Sequence, residues 1–114
     1  MNTKTTFEQA TVGNIPVRNR IVRSATHEGM ADRGRVSEAL LDMHRNLADG
    51  GVGLIITGYV SVSKTDNPGP GTVAADDDSC LEGLKAWADT VHDRGAKIVA
   101  QMNHATSQIF SKPQ

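Results

Sequence analysis

The chain has 114 residues, with 12 Lys+Arg against 13 Asp+Glu and a formal net charge of −1. That length suits one domain with a modest core, and neither sign of charge is gathered in a block, so nothing directs the chain to nucleic acid or an anionic membrane. One cysteine, Cys80, cannot build an internal disulfide and fits a reducing, cytoplasmic compartment. The opening MNTKTTFEQA lacks the apolar core of a secretory signal, and no apolar run approaches the roughly 20 residues that span a bilayer.

In chain order, Ala10-Thr11-Val12 and Ile15-Pro16-Val17 flank Gly13-Asn14 and predict a small hairpin. Three apolar runs follow, at residues 21–26, 52–57 and 97–102. The second is apolar almost throughout, and the pattern predicts strands buried on both faces, as in parallel sheets. Between the first two runs, Val36, Leu40, Met43 and Leu47 recur at helical spacing, with Ser37 as N-cap and Gly50-Gly51 as the stop. A second helix is expected from Ser79, with Glu82 completing a capping box and Leu81, Leu84, Ala88 and Val91 on the buried face, Trp87 beside it and Gly95 at the end.

Strand, helix, strand, helix, strand makes two βαβ units, hence a parallel sheet with helices outside it. The irregular stretch from about Gly58 to Asp78, with Asn67-Pro68-Gly69-Pro70-Gly71, then lies on the C-terminal rim, where α/β proteins bind ligands. Two architectures stay open at this point, a doubly wound sheet or part of a (β/α)8 barrel. Residues 26–36 contain no G-x-G-x-x-G, and Gly69-Pro70-Gly71 is not followed by Lys-Ser/Thr, so neither a dinucleotide fingerprint nor a phosphate loop is present.

The segment Asn19-Arg20-Ile21-Val22-Arg23-Ser24-Ala25-Thr26 resembles the first barrel strand of the old yellow enzyme (NADH:flavin oxidoreductase) family. The likeness takes in the approach from Phe7 to Val17 and continues through His27-Glu28-Gly29-Met30-Ala31, residues 47–58 and residues 91–105, in family order. It implies the first three strands of a TIM barrel carrying FMN at its strand ends, with residues 1–19 as a hairpin closing the barrel floor and 20–114 as the partial barrel. It implies NAD(P)H as reductant and a small electron-poor alkene or similar acceptor as substrate.

By the same resemblance Ser24, Ala25 and Thr26 end the first strand beside the flavin, and a Thr26 hydroxyl donating near the O4/N5 edge would tune its potential. Many relatives carry Cys there. Gly58 matches a small residue at the end of strand two, where the backbone can hydrogen-bond to the ring. Gln101 offers donor and acceptor in one plane to the pyrimidine edge. Among the remaining polar residues, His104 is read as orienting the rim, Glu28 as a solvated loop carboxylate, His44 and His92 as surface residues, and Cys80 as an exposed thiol. The four histidines show no metal-ligand spacing, and Asp76-Asp77-Asp78 is read as favouring a helix N-terminus. Thr106 and Ser107 replace the family's usual Gly-Arg.

A complete barrel takes about 250 residues or more. The family's substrate-polarising His-His or His-Asn pair, a flavin-contacting Arg and the phosphate loops belong to later strands. The expectation is therefore a piece of a longer polypeptide, inactive by itself, that self-associates or meets the missing strands. The contrasting expectations are a non-catalytic assembly module of the same segment, or an unrelated small α/β binding domain indifferent to flavin.

Overall fold

The computed structural model describes residues 3–63 and 71–104. A short helix α1 (Thr3–Phe7) leads into a hairpin of β1 (Ala10–Val12) and β2 (Ile15–Val17), paired antiparallel with Val12 opposite Ile15. Strand β3 (Val22–Arg23), helix α2 (Glu38–Asp49), strand β4 (Leu54–Ser61), helix α3 (Leu81–His92) and strand β5 (Lys97–Asn103) follow. The three later strands form one parallel sheet in the order β3-β4-β5. Both expected βαβ units are therefore present, and the hairpin stands as its own two-stranded sheet.

Helix α2 starts where its cap chemistry dictates. The Ser37 side chain accepts from Leu40 N at 3.1 Å, and Gly51 carries the chain out at φ +105°. Helix α3 starts differently from the expected capping box. Asp77, not Ser79, is the capping residue: its carboxylate accepts from Ser79 N at 2.8 Å and opens a 3-10 turn, Asp78–Cys80, that runs into the helix. The Ser79 hydroxyl itself donates to Asp77 Oδ1 instead of capping the helix. Leu81, expected on the buried face, is 58 % exposed in the first turn, while Val91 is buried as expected (0 %) and Trp87 is buried beside it (3 %). The 3-10 turn buries Cys80 (6 %), against the expectation of an exposed thiol.

Two apolar clusters hold the helices to the sheet. Leu40, Leu41, Val60, Val73 and Trp87 form one, and Ala48, Val52, Ile55, Val91 and Ala96 the other, with Ile98 packed against both. A fully buried side chain such as Ile55 or Val91 contributes roughly 1.5–3 kcal/mol relative to exposure. Of the three strands, β4 alone is covered nearly throughout. Val22 on β3 and Val99 and Met102 on β5 stay exposed, because β3 and β5 are the edges of a three-stranded sheet. The first strand is also shorter than residues 21–26, and β4 runs past Gly58 to Ser61, into the stretch expected to be irregular. Ser61 there pairs with Ala74. The turn-rich Asn67-Pro68-Gly69-Pro70 lies outside the described residues, as do Thr106 and Ser107. No described helix is long and apolar enough to cross a membrane.

Candidate functional site

The C-terminal rim of the sheet is organised around a break in register. Ile56 faces Val99 and Tyr59 faces Gln101, so Thr57 and Gly58 together oppose Ala100. Such a bulge interrupts the ladder and leaves polar backbone groups needing partners. Side chains supply them. Thr57, 1 % exposed, accepts from Gln101 N through Oγ1 at 3.2 Å, and Gly58 N donates to Glu28 Oε2 at 3.0 Å.

Glu28 is thus a buried anchor, with its side chain 7 % exposed. The expectation of a solvated loop carboxylate is corrected. Arg23 of β3 donates to Glu28 Oε2 at 2.8 Å, to Ile56 O at 3.1 Å and to Thr26 O at 3.0 Å. His44 of α2, expected on the surface, is fully buried and packs edge-on against Trp87 with ring centroids 5.2 Å apart. Its Nδ1 lies 3.1 Å from Leu40 O, and since a carbonyl only accepts, Nδ1 carries a proton. Nε2 then stands 3.3 Å from Glu28 Oε2, an ion-pair distance without hydrogen-bond alignment. Burial by itself would raise the pKa of Glu28; contact with His44, the Gly58 N–H and Arg23 outweighs burial and lowers it to about 2.

Spacing held a signal for His44. It lies four residues after Leu40 and four before Ala48, both buried on the same helix. Glu28 had no such signal, because its partners come from three separate elements.

The residues expected at the site fall around this anchor. A Cβ at Gly58 would meet Glu28 Oε1 and sit 2.6 Å from Thr26 O, so the loop after β3 packs against β4 there only because the residue is glycine. Ser24 and Thr26 are exposed, Ala25 is half-buried, and Thr26 Oγ1 donates to Ser24 O at 3.1 Å. Gln101 is exposed on β5 rather than inside a covered strand, and its carboxamide makes no hydrogen bond to another described residue. His27 stacks on Tyr59, with centroids 4.7 Å apart. His104 is exposed at the end of β5, and His92 is exposed at the end of α3. Among the described residues no group of His, Cys, Asp and Glu could hold a metal ion.

The chain has counterparts among known proteins. The model of the NADH:flavin oxidoreductase / NADH oxidase family matches residues 5–114. A 4,4'-dithiodibutanoate disulfide reductase of Rhodococcus erythropolis is 41 % identical over 103 residues, covering 90 % of this chain and 25 % of that protein. Among solved structures, a 2-naphthoyl-CoA reductase in complex with 2-naphthoyl-CoA superposes with a TM-score of 0.84 at 26 % identity, over 90 % of this chain and 16 % of that one. Old Yellow Enzyme from Pichia sp. AKU4542 gives 0.79 at 23 % identity over 88 % and 26 %, a likeness of fold. The chain spans a quarter or less of the length of the first relative and of the naphthoyl-CoA reductase. With the family model matched from residue 5 to residue 114, the chain belongs to the NADH:flavin oxidoreductase / NADH oxidase family, a family of oxidoreductases.

Proposed function

We propose that this segment supplies the first three strands of an FMN-binding (β/α)8 barrel, within a protein that reduces a small electron-poor acceptor, such as an activated alkene, with NAD(P)H. Residues 1–19 close the floor of that barrel and 20–114 form its opening strands and helices. The observation that carries the reading is the bulge at Thr57–Gly58, which ties Thr26 and Gln101 to one place on the C-terminal rim, where barrel enzymes keep their chemistry.

The residues present fit a flat heteroaromatic ring. Ser24, Ala25 and Thr26 offer short side chains, so a ring can approach the backbone there closely. The exposed carboxamide of Gln101 has a donor and an acceptor in one plane, as a pyrimidine edge requires. The Thr26 hydroxyl, donating to Ser24 O at 3.1 Å, can rotate to donate outward and stabilise negative charge on a bound ring. Bound flavin would supply the two-electron chemistry. The chain's own residues would orient the ring and set its polarity, and a complete site draws on residues beyond these three strands.

A second reading, that the segment acts as a structural or assembly module, draws on the apolar side chains of Ile21, Val22, Val99 and Met102, exposed at 38 to 50 %. Such a surface fits cover by further strands or by another copy. Gel filtration of the chain in excess FMN, with the visible spectrum read beside the eluted mass, separates the two. Flavin that co-elutes with the protein supports the flavin site, whereas an associated chain free of flavin supports the assembly reading.

A further inference from the structure

Glu28 has no place in the flavin contacts proposed above, yet it ties the strand ahead of Thr26 to the strand that holds Gly58. Its Oε2 takes the Gly58 N–H of β4 at 3.0 Å and the Arg23 guanidinium of β3 at 2.8 Å, and it faces His44 Nε2 of α2 at 3.3 Å. Arg23 in turn holds Thr26 O and Ile56 O, the carbonyl just ahead of the bulge. We propose that Glu28 is a positioning residue for the cofactor rim, fixing the Thr57–Gly58 bulge and the Thr26 backbone in one geometry from behind the sheet. This rests on the flavin reading.

The physical case is one of alternatives. A bulge leaves the Gly58 N–H outside the β4–β5 ladder, and a bulge can migrate along a strand when nothing pins it. Here the acceptor is a charged oxygen held by an arginine, which makes the bond to Gly58 stronger than one to a neutral carbonyl. The helix face behind it is closed by the His44 and Trp87 rings. Glu28 can therefore move only if the Gly58 backbone moves with it. Glycine at 58 is the matching half of the device, because a Cβ there would run into Glu28 Oε1 and Thr26 O.

The experiment uses the whole 114-residue chain as wild type, Glu28→Gln, Glu28→Asp and Val91→Ala. The last variant weakens the core away from the rim. Amide hydrogen exchange is followed by NMR without flavin, and FMN is then titrated by absorbance at matched fractions folded. Glu28→Gln is expected to speed Gly58 exchange by about ten-fold or more relative to Ile55, to weaken FMN binding by a similar factor and to shift the bound flavin's absorption band. Glu28→Asp, which keeps the charge on a shorter arm, should recover part of both. Val91→Ala should leave Gly58 protection relative to Ile55, FMN affinity and band position unchanged.

Gly58 exchange unaltered in Glu28→Gln would overturn the anchor, whatever flavin does. A loosened Gly58 with unchanged FMN affinity and spectrum would overturn the positioning role. A wild-type chain that binds no FMN counts against the flavin reading instead, and the anchor then stands or falls on the exchange result.

Discussion

Two arginines hold the two ends of this sheet, and they do it by different chemistry. At the floor, Arg18 donates to Ala48 O at 2.6 Å, Val52 O at 3.0 Å and Arg94 O at 2.8 Å, stitching the chain leaving both helices to the end of the hairpin. Its partners are backbone carbonyls, so nothing in its hydrogen bonding titrates. At the rim, Arg23 also binds two carbonyls but shares its charge with the buried carboxylate of Glu28, which in turn holds a backbone N–H and faces a histidine. The floor is built to be permanent. The rim is built around a buried carboxylate that the fold holds in its charged form.

The largest effect expected from breaking this contrast is at the floor. Arg18→Met keeps the apolar stem and strands three carbonyls at the ends of α2 and α3, where each loses a charged donor. A loss of about 3 kcal/mol in urea unfolding is expected, with no change in the slope of stability against pH. A loss under about 1 kcal/mol would mean that water replaces the guanidinium and that the floor is less closed than its geometry implies.

The rim should respond less in size but with a pH signature. Glu28 has its carboxyl lowered from 4.5 to about 2. Its charged form is favoured by the fold, so its contribution is complete above about 4.5 and is lost as pH falls through about 2. Glu28→Gln should therefore cost on the order of 2 kcal/mol at neutral pH, and the gap to wild type should close between about pH 4.5 and 2. Two donors reach the carboxylate, Arg23 from β3 and the Gly58 N–H from β4, and His44 of α2 faces it at 3.3 Å. A gap that stayed constant across that window would show that packing, not charge, is what the carboxylate supplies.

How much of this could be read from residues alone divides along the same line. The hairpin, the helix from Ser37, the parallel order and the glycine stops were legible because each is local: a turn pair, a cap, a period of 3.6 or a run of apolar residues. Even the acidic run was rightly placed at a helix start, though Asp77 rather than Ser79 proved to be the cap. The rim network was not legible. Glu28 meets Gly58 across 30 residues and His44 across 16, and a carboxylate in a loop carries no mark of burial until those elements are folded together. His44 was the recoverable miss, since Leu40, His44 and Ala48 share one stripe. The rim residues proposed for flavin rest on resemblance more than on pattern. What the structure adds is the bulge that ties Thr26, Gly58 and Gln101 to one neighbourhood.

The smallest effect sharpens the comparison from beside Arg18. Arg94 pairs with Asp49 through one guanidinium nitrogen at 2.8 and 2.9 Å, joining the ends of the two helices, with the side chains 42 % and 48 % exposed. On paper it resembles the Arg18 clamp, since both arginines link the same two helix ends. The solvent decides otherwise. An exposed pair gains little over its hydrated parts and gives up side-chain entropy, so Arg94→Gln should change stability by no more than about 0.5 kcal/mol, less still in high salt. The Arg94 carbonyl that accepts from Arg18 is untouched by that substitution. A double variant of Arg18→Met and Arg94→Gln should then equal the sum of its parts. Coupling of about 1 kcal/mol or more would mean that the surface pair helps hold the Arg94 carbonyl in place for the buried arginine, and the floor would be a network rather than a single clamp.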